Sequence, residues 1–423
     1  MTRSLLLFGS ACASFVALAL LAQDATEAPA GFNTPTLTMN PGSQSISNGA
    51  PEPPGDTFAL DQAQFERVHD PTSGLGPLFN AASCAQCHQN IVTGSASQIT
   101  EVRAGHKDAN GNFVNPTVVI NQGNTQVGGR SIVNDRSICE NAQEHVPETE
   151  TILARRAVLN TLGDGFIEAL GDATLLKIAS LQPGQSNGRI HGEAIVIPIL
   201  EAPGQTGVGK FGWKAQQPTV LSFSADAYLN EMGVTNRLRP KDVTTVCKVT
   251  SDPEDIPDSI GMEDIDHFAQ FIRGTQVPPR DTALAATVDA QAGAKLFASI
   301  GCNICHVDTL VTMPAGRVIN GGVYTVPAAL GNKIIHPFGD FLLHDVGTGD
   351  GIVQAGPADT ANKLRTVPLW GLHIKSRFMH DLASLTLQDA IVRHRGEAEH
   401  IAHEFKHLTT EQQQQVITFL KSL

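Results

Sequence analysis

Aromatic residues are scarce in this chain of 423 residues: they make up 5% of it, with two Trp and two Tyr. Basic residues are outnumbered as well, 29 Lys and Arg against 42 Asp and Glu, for a formal net charge of −13. That balance argues against nucleic acid and against an anionic membrane surface as partners. Long apolar runs are missing apart from one, Leu5 to Leu21. It follows Arg3 and ends in Ala22-Gln23-Asp24, the make-up of a secretory signal peptide over residues 1–23. With the leader removed, no other stretch is apolar enough to span a bilayer, so the mature chain is expected to lack a membrane span. Export also sets the expected address, a periplasm.

Cysteine is sparse too, seven in all, but four of the seven fall into one repeated pattern. Cys84-Ala85-Gln86-Cys87-His88 and Cys302-Asn303-Ile304-Cys305-His306 both spell C-x-x-C-H. Two thiols on one turn can add across the two vinyl groups of a porphyrin, and the next residue then meets the iron. The pattern is the attachment signature of a c-type haem, with His88 and His306 as fifth ligands. A zinc site would not separate its Cys pairs so widely, nor place a His after each. A thioredoxin-like dithiol would need a βαβ setting that neither pair has. Beyond these and Cys12 in the leader remain Cys139 and Cys247, either a disulfide or two separate thiols.

Residues 24–57 are rich in Pro, Gly, Ser, Asn and Thr and are expected to be extended. Helical spacing runs from Phe58 to Leu78. Ile91 to Val133 suggests loops and short strands, whereas Glu150 to Leu162 has helix-like spacing. Further helices are expected at Ser222–Glu231, Ser259–Arg273, Asp289–Ile300 and from Thr409 or Thr410 to Leu423. Val277-Pro278-Pro279-Arg280 is the linker candidate. The expected fold is mainly α: two cytochrome c-like domains, 58–280 and 281–423, the first enlarged by loops and short β-strands.

Several elements beyond the haem motifs resemble the di-haem oxidoreductases, called thiol oxidoreductase-like, which are related to the bacterial di-haem cytochrome c peroxidases. They include Lys210-Phe211-Gly212-Trp213-Lys214-Ala215, Asn230-Glu231-Met232-Gly233-Val234-Thr235-Asn236, Leu364-Arg365-Thr366-Val367-Pro368-Leu369-Trp370-Gly371, Phe378-Met379-His380-Asp381 and Ala390-Ile391-Val392-Arg393-His394-Arg395. The resemblance implies that Glu231 is the distal acid–base over the first haem and Trp213 the indole between the haems. It also implies that His394 stands where the peroxidases carry the Met ligand of the second haem. A calcium ion between the haems would take backbone carbonyls such as those of Thr366 and Pro368. The implied activity is hydrogen peroxide reduction, with electrons from a small donor protein such as a cytochrome c or cupredoxin.

Departures from the family pattern keep other readings open. His380-Asp381-Leu382-Ala383 lacks the Gly and Arg usual after His-Asp. His106 or His145, in the long first-half insertions, are candidates to close the first iron. In that case the chain is an electron relay with both haems six-coordinate. Oxidation of an organic or protein substrate is a further alternative. After the second motif, Met313, His336, His344, His373, Met379, His380 and His394 all compete as sixth ligand.

Overall fold

The computed structural model describes residues 25–31, 47–127 and 129–423. The expected leader and part of the extended lead-in lie outside these residues. The helix Phe58–Glu66 starts where the Thr57 hydroxyl accepts from the Leu60 N–H, 3.2 Å away. It packs Phe58 and Phe65 against the helix Asp264–Gly274, whose Ile265, Phe268, Phe271 and Ile272 form one buried stripe. Phe58 lies 5.4 Å from Phe271, and Phe65 meets Phe268 edge-on at 6.1 Å. Each such ring is worth roughly 1.5–3 kcal/mol of burial.

The helix Val220–Met232 is capped by Thr219 and ends on Gly233 at φ 73°. A Cβ at Gly233 would collide with the Leu78 carbonyl oxygen. Glycine therefore lets the helix end lie directly on the segment 76–81, where Asn80 N–H donates to the Glu231 carbonyl at 2.7 Å. In the second half, helices Val288–Ser299 and Thr410–Leu420 pack together around Phe297, Val416, Phe419 and Leu420.

The expectation of a mainly α-helical protein is corrected: 31% of residues are helical and 15% lie in strands, spread over several small sheets. The largest departure is Glu150 to Leu162, which contains the strand Ile152–Ala157 rather than a helix. Its burial alternates, Leu153 and Arg155 exposed and Ala154 and Arg156 buried, which is the two-residue period of a strand. It pairs antiparallel with the strand Thr100–Lys107, bringing Arg156 opposite Glu101 and Ala154 opposite Arg103. Cys139 and Cys247 form a disulfide, Cα atoms 6.4 Å apart, closing a separation of 108 positions.

Packing joins the two halves. One core cluster combines Phe65, Phe166 and Phe268 with Leu310, Leu342 and Trp370. Within the lead-in, Thr26–Glu27 pairs parallel with the strand Lys333–Ile335. Among the described residues no helix is long and apolar enough to cross a membrane.

Candidate functional site: two cavities with a common wall

Cys84, Cys87 and His88 line a cavity of about 920 Å³. The Ser83 hydroxyl caps the turn Cys84–Gln86, and the His88 N–H donates to the Cys84 carbonyl at 2.9 Å, so thiols and imidazole issue from one helical turn. Burial pushes the Cys87 thiol up to about 11 and Cys84 higher still, and lowers His88 to about 4. A neutral imidazole is the form that can ligate an iron. Phe65 meets the His88 ring edge-on at 6.0 Å, and His88 Nδ1 is enclosed without a hydrogen-bond partner.

On the same cavity stand Glu231, Glu101 and Arg103. Glu101 and Arg103 sit two apart on a strand and so share a face. Arg103 forks onto Glu101, Nε to Oε1 at 2.5 Å and Nη2 to Oε2 at 3.1 Å. Glu231 Oε2 accepts from the Asn80 amide at 2.7 Å, and its carboxyl is within hydrogen-bond reach of Glu101. Burial first, then the Glu101 charge, raise Glu231 to about 8. Glu101 is held low despite its burial, because Arg103 neutralises it. The two carboxyls are thus pushed in opposite directions, Glu231 up and Glu101 down.

The second cavity, about 260 Å³, is lined by Cys302, Cys305, His306 and His394 among apolar side chains such as Leu369, Phe378 and Phe405. His306 Nδ1 donates to the Phe338 carbonyl at 3.0 Å, and His394 Nδ1 to the Ala390 carbonyl at 2.9 Å. Each imidazole thus keeps Nε2 free for a metal. Burial first, then the neighbouring His394, lower His306 to about 4. Of the other candidates, Met313, His336 and His373 do not line the cavity. His344 does, but both its nitrogens are occupied, by Asp340 and Glu397, each at 2.9 Å. Met379 and His380 also line it. The donor sets of both cavities fit a His-ligated haem.

Ala157, Val158, Leu159, Trp213 and Arg365 line both cavities and form the wall between them. Trp213 Nε1 donates to the Ala157 carbonyl at 2.8 Å, and His380 packs edge-on against the indole at 6.0 Å. Beside it Lys214 is fully buried. Its ammonium donates to the carbonyls of Thr360, Ala361 and Lys363 at 2.8–3.0 Å and pairs with Asp350 at 3.2 Å. Asp350 in turn holds Arg156 at 2.6 Å. Burial lowers Lys214 to about 8.

His106 and His145 are not brought to the first cavity. His106 bonds Glu150 at 2.8 Å, and His145 bonds Asn121 at 2.6 Å on the surface. Sequence reasoning missed Glu101, Arg103 and Lys214. The first two had a usable signal, two charges of opposite sign two residues apart in a β-favouring stretch.

The fold and the two cavities define a protein built around two C-x-x-C-H sites that share one wall. This chain belongs to the di-haem oxidoreductase family, described as "Di-haem oxidoreductase, putative peroxidase", which matches residues 127–423. It is an oxidoreductase enzyme of peroxidase-like character with haem as its cofactor. The match begins after the first C-x-x-C-H and includes the second, with Trp213, Glu231 and His394. No curated protein matches the chain. Similar solved structures include a hydrazine synthase of Kuenenia stuttgartiensis pressurised with xenon, at 12% identity, covering 100% of each chain, with TM-score 0.37. The diheme peroxidase BthA of Burkholderia thailandensis is 13% identical over 94% of each chain, TM-score 0.32. A MauG-like protein associated with microbial copper homeostasis is 18% identical over 38% of this chain and 56% of that one, TM-score 0.25. None of the three reaches a TM-score of 0.5, so the family match alone carries the assignment.

Proposed function

We propose that the chain is an exported, periplasmic hydrogen peroxide reductase that does its chemistry in the first cavity and takes in electrons through the second. Haem would be attached through thioethers to Cys84 and Cys87, with His88 as ligand, and to Cys302 and Cys305, with His306 and His394 as ligands. When bound, haem supplies the iron that exchanges electrons with the substrate. The observation that carries the reading is the carboxyl pair Glu231–Glu101 in the first cavity against the imidazole pair His306–His394 in the second.

Cleaving a peroxide O–O bond to water needs one proton taken from one oxygen and one delivered to the other. A pair holding one proton does both: the ionised carboxylate accepts while the protonated one donates. Arg103 keeps Glu101 ionised, and Asn80 orients Glu231. Trp213, in the wall, is the aromatic step between the two sites. The Lys214 cage holds the indole's neighbour rigidly beside the loop 350–363. A calcium ion on the carbonyls of Thr366 and Pro368, both on the wall of the second cavity, belongs to the same proposal. The acidic surface suits a basic donor protein such as a small cytochrome c or cupredoxin.

The test is peroxide turnover by the haem-loaded protein against Glu231→Gln. Loss of turnover with an unchanged haem spectrum supports this reading. Full turnover in the variant removes Glu231 from the chemistry.

A further inference from the structure

A second buried cluster of carboxylates lies away from both cavities. Asp61 and Asp56, with side chains 0% exposed, and His267, at 4%, place one ligand atom each within 4.8 Å of one another. His267 Nδ1 is 2.7 Å from Asp61 Oδ1 and 3.7 Å from Asp56 Oδ1. Glu52 closes the group from the lead-in, within hydrogen-bond reach of Asp61. Three buried oxygens here, Glu52 Oε1, Asp56 Oδ2 and Asp61 Oδ2, have no hydrogen-bond partner.

Buried carboxylates persist only when paired, protonated or bound to a metal. The acidic group at Asp242, Asp252 and Glu254 makes the contrast, because the Lys248 ammonium pairs with all three. Among the described residues no Lys or Arg pairs with Glu52, Asp56 or Asp61. The only base is His267, and its far nitrogen, Nε2, already faces the Asp258 carboxylate at 3.3 Å. That is the arrangement in which an outer carboxylate fixes an imidazole so that the other nitrogen, here Nδ1, ligates a metal. Three carboxylates against one imidazole call for a charge of about two.

We propose that Asp56, Asp61 and His267, with Glu52 at the edge, hold a divalent transition-metal ion of the Mn²⁺ or Zn²⁺ class. Carboxylates with a single imidazole suit these ions, whereas calcium takes oxygen ligands. The ion cross-links the lead-in, the helix Phe58–Glu66 and the helix Asp264–Gly274. The first of these helices carries Phe65 and the second Phe268, both on the wall of the first cavity. The site thus stiffens the shell behind His88 and stands independently of the peroxidase reading.

The test uses the full-length, haem-loaded protein. Elemental analysis after exhaustive dialysis counts Mn, Zn and Ca per chain. Chelator-treated protein is then titrated with MnCl₂, followed by EPR of the free ion, and with ZnCl₂, followed by thermal unfolding. The expected result is one Mn or Zn per chain, a Tm raised by several degrees on metal addition, and loss of both in Asp61→Asn and His267→Gln. Asp258→Asn alters only the partly exposed outer residue and keeps the assay open if those variants fail to fold; a metal affinity weakened about 10–100-fold is expected. Absence of retained Mn or Zn together with a Tm indifferent to metal overturns the proposal in favour of carboxyls that share protons. Calcium retained equally by His267→Gln overturns it as well.

Discussion

The two cavities carry the same attachment motif and differ in almost everything that faces it. Around His88 stand Glu231, Glu101 and Arg103 in a cavity of about 920 Å³. His306 shares a cavity of about 260 Å³ and apolar walls with a second imidazole, His394. On the proposed reading the five-residue motif holds the cofactor, and the other residues of each cavity decide what the cofactor does. A charged, roomy site can take and move protons, while an imidazole-closed, apolar one can only pass electrons.

The contrast breaks most directly at Glu231. Glu231→Gln, which keeps the shape and removes the titration, should lower peroxide turnover by about 10²–10⁴-fold, measured by steady-state kinetics on protein with an unaltered haem spectrum. The wall comes next. Lys214→Met leaves three carbonyls without their donor and half-unpairs Asp350, so unfolding in denaturant should show a loss of about 3–5 kcal/mol. In the second cavity, if His306 and His394 both ligate as proposed, His394→Met replaces bis-imidazole by Met/His ligation and should raise that haem's potential by on the order of 100 mV in spectroelectrochemistry, a small part of the ~0.8 V that axial ligands span. The first haem should not move.

The smallest effect is on pH dependence. Glu231, raised to about 8, loses its proton as pH climbs through that value, so the rate should fall on the alkaline side near pH 8. In Glu101→Gln the accepting carboxylate and the like charge are both gone, so turnover should fall, and the activity that remains should show its alkaline limb at lower pH as the Glu231 pKa drops. A limb that stays at pH 8 would separate Glu101 from the proton pair.

What the sequence disclosed was local. The attachment turns, the helix closed by Gly233 and the terminal helix are set by neighbours a few positions apart, and they stand where spacing and capping residues put them. Glu231, Trp213 and His394 were legible only through resemblance, and the structure brings each to a cavity wall. The pairing that raises Glu231 was not legible, because its partner Glu101 lies far away in sequence and meets it only when the start of a strand reaches a helix end. Two alternating positions beside a helix-like apolar pattern also misled at Ile152–Ala157: Arg156 is buried by its ion pair with Asp350, a contact that no local pattern reports. Cys139 and Cys247 were a pair by count, and only the fold joins them.

The central claim is that one site is open to peroxide and the other is closed by His394. Optical and EPR spectra of the haem-loaded protein, ferric and then half-reduced, each mixed with a small excess of hydrogen peroxide, test it most directly. In the ferric protein the account predicts one low-spin signal and one high-spin signal, the high-spin one disappearing on mixing, slowly or not at all in Glu231→Gln. Two low-spin haems indifferent to peroxide in both oxidation states would contradict it and leave an electron relay.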